Sequence, residues 1–462
     1  MTRSSRRRRD LIIAAAIAVV VVVAGLVIYL RSDARATSLT VGPDDPIPAE
    51  MASAPTSLRQ VWQLTTAAQF PAVASPYGAV VTADEHTVTG YDPVTGDQRW
   101  TYSRSNLALC AMGMGDTGTQ SLTSSGAVRG IVTGYVKSGR CSEITTLNPI
   151  TGERLKQRTG FTGAKSTLVF GGPYGGMVSD DLVELWRYDL VRTIQYGNQP
   201  EPTKPNTRHL GCTFTDSAVA ANQFGTIEHC AAQGSHAQLV LNYDDPGATS
   251  GGKAKSWDAL NFDPRTTVDL GTDNARLLSI GTEEAAVLVA TPAPAVVVYD
   301  ATGAERSRTP IGVSADQIVA ADGLGPVTPV VVGTSARYVL VGSTLVAVQT
   351  DGLKALWVTP DVLGTPATVG NQLLVPVTEG IAVLDAATGT RSATIPVDRG
   401  GYSGTVDVGV VGNTVVETRG TAVVGLRDPA APVTDPAQTT PSTTSPVRLP
   451  TFGPTATTSG TG

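Results

Sequence analysis

The sequence has little of what active sites are usually assembled from. Four His and four Cys stand in 462 residues, and no two of the cysteines form a Cys-x-x-Cys pair. The histidines (His86, His209, His229 and His236) are scattered, so metal binding is the weaker reading of the cysteines, and His229 beside Cys230 reads as incidental. No Ser lies in a Gly-x-Ser-x-Gly elbow. The Gly-rich stretch Gly171 to Gly176 lacks the Lys-Ser/Thr of a phosphate loop, and reads as a tight inter-strand turn. Asp180-Asp181 and Asp244-Asp245 are adjacent acids. On a strand such neighbours point to opposite faces and do not act jointly. Beyond the N-terminal segment no stretch shows a sustained 3.6-residue period, which argues against helical layers.

Basic charge is also short where a nucleic-acid partner would need it. Residues 1–36 hold seven Arg and two Asp, a net +5, while the whole chain is −6, leaving −11 for residues 37–462. Such a surface cannot neutralise phosphates along a groove, which excludes nucleic acid. Only seven of the 34 basic residues are Lys, a bias of GC-rich, for example actinobacterial, genomes.

One long hydrophobic run is present. Leu11 to Leu30 are twenty uncharged positions, and as a helix they span roughly 30 Å, the thickness of a bilayer core. Arg3 and Arg6 to Arg9 precede the run, and only Arg31 and Arg35 follow it. That asymmetry predicts a single-pass anchor in the cytoplasmic membrane, N-terminus inside and the remainder extracytoplasmic. A cleaved signal would have a shorter apolar region, and no Cys follows the run to carry a lipid. The organisation read from composition is a basic cytoplasmic tail (1–10), the helix (11–30), a flexible Pro-bearing tether (31–57), a folded ectodomain (58–428) and a disordered Pro/Thr/Ser-rich tail (429–462) open to O-glycosylation.

Within the ectodomain, short Val-rich stretches such as Ala285 to Ala290 and Ile381 to Leu384 alternate with Gly, Asp, Asn and Pro. This predicts an all-β fold. A turn recurs through it. Asp92-Pro-Val-Thr95-Gly96, Asn148-Pro-Ile-Thr151-Gly152 and Asp385-Ala-Ala-Thr388-Gly389 each follow an apolar strand, as does the shorter Asp300 to Gly303. Asp or Asn caps such a turn with its side chain, and Gly supplies the positive φ that reverses the chain. Weaker copies lie at Asp189, Asp244, Asp351 and Asp428. Copies about 35–60 residues apart fit a four-stranded unit, hence a β-propeller blade. Counting turns predicts eight blades, with seven as the alternative because 197–260 is irregular. The last repeat, ending near Leu426, lacks a fourth strand, and the stretch Arg59 to Leu64 matches an outer strand; it is expected to complete that blade and close the ring.

Asp92-x-x-Thr95-Gly96-x-x-x-Trp100 resembles the tryptophan-docking motif of quinoprotein-type (PQQ-like repeat) propellers, a family that includes an outer-membrane-assembly lipoprotein. Trp357 and Trp257 follow their turns similarly, whereas Asn148 has no following Trp and Gly389 is followed by Ala393. The resemblance covers about residues 58–428 and implies that the Trp of one blade packs on the turn of its neighbour. Enzymes of that family use a disulfide of adjacent cysteines and a bound calcium. This chain has neither adjacent cysteines nor a clear calcium set, so a quinone-dependent dehydrogenase is the alternative rather than the expectation, and no catalytic residue, cofactor or metal is assigned.

Four cysteines outside the cytoplasm should pair. Of three connectivities, Cys110–Cys141 with Cys212–Cys230 keeps each bridge within one blade, for about 3 kcal/mol each in the chain-entropy model. The reading is a non-catalytic membrane-anchored scaffold binding envelope membrane proteins, and glycolipid, in cell-envelope biogenesis or cell-wall (mycolate-type) lipid transport.

Overall fold

The structure, a computed structural model, describes residues 3–30, 32–116, 129–163, 165–200, 202, 204–205, 207–245, 247–249, 252–253, 262–318 and 328–431. The tail expected beyond residue 431 and Trp257 lie outside these residues.

Strands that alternate apolar residues on both faces need cover on both faces, and a ring of radially stacked sheets supplies it. Eight antiparallel sheets form the ring, seven of four strands and one of five, each running from an inner to an outer strand. The inner strands, in ring order, are Val73–Ser75, Leu109–Asp116, Thr167–Gly171, Cys212–Ala220, Ala275–Ile280, Val330–Val332, Ala367–Val369 and Val406–Val411, which number blades 1 to 8. The apolar core divides into eight clusters, one in each gap between neighbouring blades. Alternation along a strand sets which gap a side chain fills: Val287 packs toward blade 4, and its neighbour Leu288 toward blade 6.

Blade 8 is completed by the N-terminal side of the chain. Arg59–Thr65 pairs antiparallel with Ala422–Arg427, from Arg59 opposite Arg427 to Thr65 opposite Ala422. First and last segments of the ring thus share one sheet, and closure leaves no open gap between blades 8 and 1.

The stretch expected to be a free tether is instead docked on the ring. Thr37–Thr40 adds a fifth strand to the outer edge of blade 1, pairing with Thr101 to Arg104. Downstream, the Gly42 amide donates to the Thr151 carbonyl at 2.9 Å, and Asp45 is ion-paired with Arg99. Met51 and Ala54 pack against the core between blades 7 and 8, and the Ala54 amide donates to Gln372 Oε1 at 2.8 Å. Polar, Pro-bearing composition concealed this, because the docking uses backbone hydrogen bonds and a few small apolar contacts rather than an amphipathic period.

A long helix, Arg3–Leu30, and a single turn, Asp33–Ala36, precede the ring. The long helix ends three residues before Asp33, whose carboxylate accepts from Asn106 Nδ2 at 2.8 Å and lies 3.5 Å from Arg104 and 3.7 Å from Lys137.

Candidate functional site

The ring's axis is the one place where several blades converge, and it holds a cavity of about 1160 Å³. Blades 1, 6, 7 and 8 supply most of a wall that mixes aliphatic and polar side chains, Met114 of blade 2 and Arg276 of blade 5 reach it, and Pro48, Glu50 and Met51 of the docked N-terminal stretch lie at it. A volume somewhat above that of ordinary ligand pockets, with apolar patches set among polar groups, suits a long amphipathic ligand or an inserted peptide segment. Polar groups at the wall include Arg129, Arg276, Gln317 and Asp407.

Two acids near this cavity, Asp216 and Asp407, hold blades together, whereas Glu50 at the wall takes no part in such bonds. Asp216, on the inner strand of blade 4, is fully buried and accepts from the Leu277 amide of blade 5 at 2.9 Å. It also accepts from the Thr328 amide at 2.9 Å and from the Thr328 hydroxyl, while Arg276 Nε lies 3.3 Å away. Burial pushes the Asp216 carboxyl up, against the pull of Arg276 and these hydrogen bonds. Asp407 of blade 8 likewise accepts from the Thr365 amide at 3.0 Å and hydroxyl at 2.7 Å. Nothing in the sequence marks Asp216 or Asp407, since their partners come from loops 42 to 112 residues away.

The turn residues form inter-blade clamps. At Asp92 the side chain accepts from the Val94 and Thr95 amides at 2.8 and 3.0 Å, and the Gly96 amide returns to the Asp92 carbonyl at 2.9 Å with Gly96 at φ +77°. On this turn sits Trp62 of the blade 8 outer strand, its Nε1 donating to the Pro93 carbonyl at 3.0 Å. Trp100 of blade 1 caps the next turn in the same way: Nε1 donates to the Pro149 carbonyl at 3.2 Å, and the ring lies on Gly152. In that turn Asn148 accepts from the Ile150 and Thr151 amides at 2.8 and 3.3 Å. Trp357 of blade 6 lies on Gly389, where Asp385 accepts from the Thr388 amide at 2.8 Å. The Trp therefore docks on the following blade's turn rather than on the turn that precedes it in sequence. Where Trp is missing, another side chain takes its place: Lys156 Nζ of blade 2 donates to the Tyr188 carbonyl at 3.1 Å. On blade 4, Thr266 Oγ1 donates to the Thr302 carbonyl at 3.2 Å.

Both cysteine pairs are bonded, Cys110 to Cys141 within blade 2 and Cys212 to Cys230 within blade 4. Cys212 and Cys230 face one another across paired strands. Beside them stand two residues that the sequence did not single out, His209 and the buried Glu228, with His209 Nε2 2.7 Å from Glu228 Oε2. A period-two signal, Glu228-x-Cys230 on one strand face, was available; His209 arrives from an irregular loop and carried none.

No protein-family model and no curated protein matches the sequence. Among solved structures, BamB from Moraxella catarrhalis is similar at 14% identity, covering 81% of this chain and 98% of that one, with a TM-score of 0.41. The computationally designed Ika8 protein is similar at 14% identity, covering 82% and 99%, with a TM-score of 0.45. The eight-bladed propeller itself rests on the strand order described above.

Proposed function

We propose that this chain is a non-catalytic scaffold, anchored by Leu11 to Leu30 in the cytoplasmic membrane with its propeller on the extracytoplasmic side, where it binds envelope membrane proteins and carries a glycolipid or similar long amphipathic ligand in its channel. The observation that supports the reading is an apolar helix long enough to cross a membrane standing a few residues before a stretch docked on the ring, so that a bilayer around that helix would lie close to the channel. Two structural disulfides accord with that compartment. The channel wall mixes aliphatic and polar side chains, and Asp216 and Asp407 beside it are tied up in inter-blade bonds, which favours binding over bond-making. A role in cell-envelope biogenesis, including cell-wall lipid transport, follows from place and cavity together.

Crosslinking in intact cells, followed by mass spectrometry of captured proteins and extracted lipids, tests this. Recovery of integral membrane proteins, with lipid lost when a bulky side chain is placed in the channel (Thr368→Trp), is the expected result. Capture of soluble proteins alone, with no lipid, would sink it.

A further inference from the structure

Four metal-ligating side chains converge on the rim of blade 4. One ligand atom from each of His209, Cys212, Glu228 and Cys230 lies within 4.8 Å of all the others. We infer that this quartet is a redox-gated site for a thiophilic divalent cation of the zinc type, closed while Cys212 and Cys230 are bonded and open when they are reduced.

The geometry needs only one change. In a tetrahedral zinc site with Zn–S near 2.3 Å and Zn–N near 2.0–2.1 Å, ligand atoms stand roughly 3.3–3.8 Å apart. Glu228 Oε2 is already 2.7 Å from His209 Nε2 and 3.8 Å from Cys230 Sγ. The two sulfurs are too close only because they share a bond, and breaking it lets them separate. The strands carrying them are paired directly, so neither backbone has to move far.

The ligands are also held from behind, as metal ligands commonly are. The Thr226 hydroxyl donates to the other oxygen of Glu228. The His209 ring stacks on Tyr196, centroids 4.9 Å apart and planes 20° from parallel, and its backbone amide donates to the Gly197 carbonyl at 3.1 Å. Glu228 is fully buried while the His209 side chain is 30% exposed, so an ion has an entrance on the histidine side. Among the described residues the Cys110–Cys141 bridge is not accompanied by such a cluster.

The chemistry balances with an external dithiol. Thiol–disulfide exchange transfers two electrons and two protons from the dithiol, which becomes a disulfide, to Cys212–Cys230, which becomes two thiols. Binding of the cation then releases those two protons to solvent and leaves two thiolates, the Glu228 carboxylate and the neutral His209 as ligands. Metal and disulfide exclude one another.

The test uses the full chain in detergent micelles, titrated with cobalt(II) as the probe and then with zinc(II). Phosphine-reduced protein should bind one equivalent of cobalt, with the sulfur charge-transfer and visible bands of a tetrahedral thiolate site, and zinc should bleach them. Air-oxidised protein should show neither band. Glu228→Gln and His209→Ala should weaken binding about tenfold or more, while C110S/C141S keeps it. The Cys212→Ser variant leaves His209, Glu228 and Cys230 available with no reductant and the other bridge intact, so it should bind cobalt even if full reduction loosens the ring. The inference is overturned if both the reduced chain and Cys212→Ser lack the bands, if they survive in C212S/C230S, or if oxidised protein binds equally well.

Discussion

At the scale of single residues, the docking turns make contrasts that a melting experiment can read. Gly152 and Gly139 share a positive φ, +73° and +75°. A Cβ on Gly152 would lie 2.5 Å from Trp100 Cδ2, whereas one on Gly139 would meet nothing within 4 Å. Gly139→Ala should therefore cost only backbone strain, roughly 1 kcal/mol, and Gly152→Ala clearly more, seen as a larger fall in Tm. Removing the ring itself, Trp100→Ala, empties a fully buried site and should destabilise by about 3–5 kcal/mol in urea titration. The turn at Asp300 adds an acid dependence. Hydrogen bonding from the Thr302 side chain, more than any other cause, lowers the Asp300 pKa from 3.8 to about 2. Because the folded value is depressed, the turn's contribution is complete above 3.8 and is lost as pH falls through about 2. The stability gap between the wild type and Asp300→Asn should accordingly narrow across that window when both are denatured at stepped pH.

At the scale of elements, what could be read in advance depended on whether a local pattern encoded it. Val-rich strands bounded by turn residues are local, and so were the all-β class, the repeat and even the strand Arg59 to Leu64 that completes blade 8. The docking register was half legible: Trp100 was recognisable, but that it would sit on Asn148 to Gly152 of the next blade depends on ring geometry. The stretch 31–57 reads as a tether because Asp, Pro and Ser report solubility, while its contacts, backbone amides together with Asp33, Asp45, Met51 and Ala54, carry no periodic signature. Hydrogen exchange separates the two descriptions. Amides of Gly42 and Ala54, both donors to the ring, should exchange far more slowly than those of a free linker, and proteases should spare 37–54. Uniform fast exchange there would restore the flexible tether.

At the scale of the whole molecule, closure is the property to test. Blade 8 depends on Arg59–Thr65, whose Trp62 also caps the turn of blade 1. A chain from which 59–65 is deleted should expose the edge of Ala422–Arg427 and open the gap between blades 8 and 1. It should self-associate in light scattering and lose its single sharp melting transition, since open strand edges template pairing. The cavity could not be foreseen in any stretch of sequence, because its wall comes from inner strands spread from Val73 to Val411.

The short passage from Leu30 to Asp33 has a mechanical consequence. Three residue steps reach at most about 10 Å even fully extended, and the far end is held at the circumference of the ring, by Asn106 and Lys137 at the margin of blades 1 and 2. The helix therefore meets the propeller off its axis, as a handle soldered to the rim of a wheel. A pull on any distant blade acts through a lever arm and reaches the helix as torque. A load bound on the axis would be felt differently from one bound at the far rim.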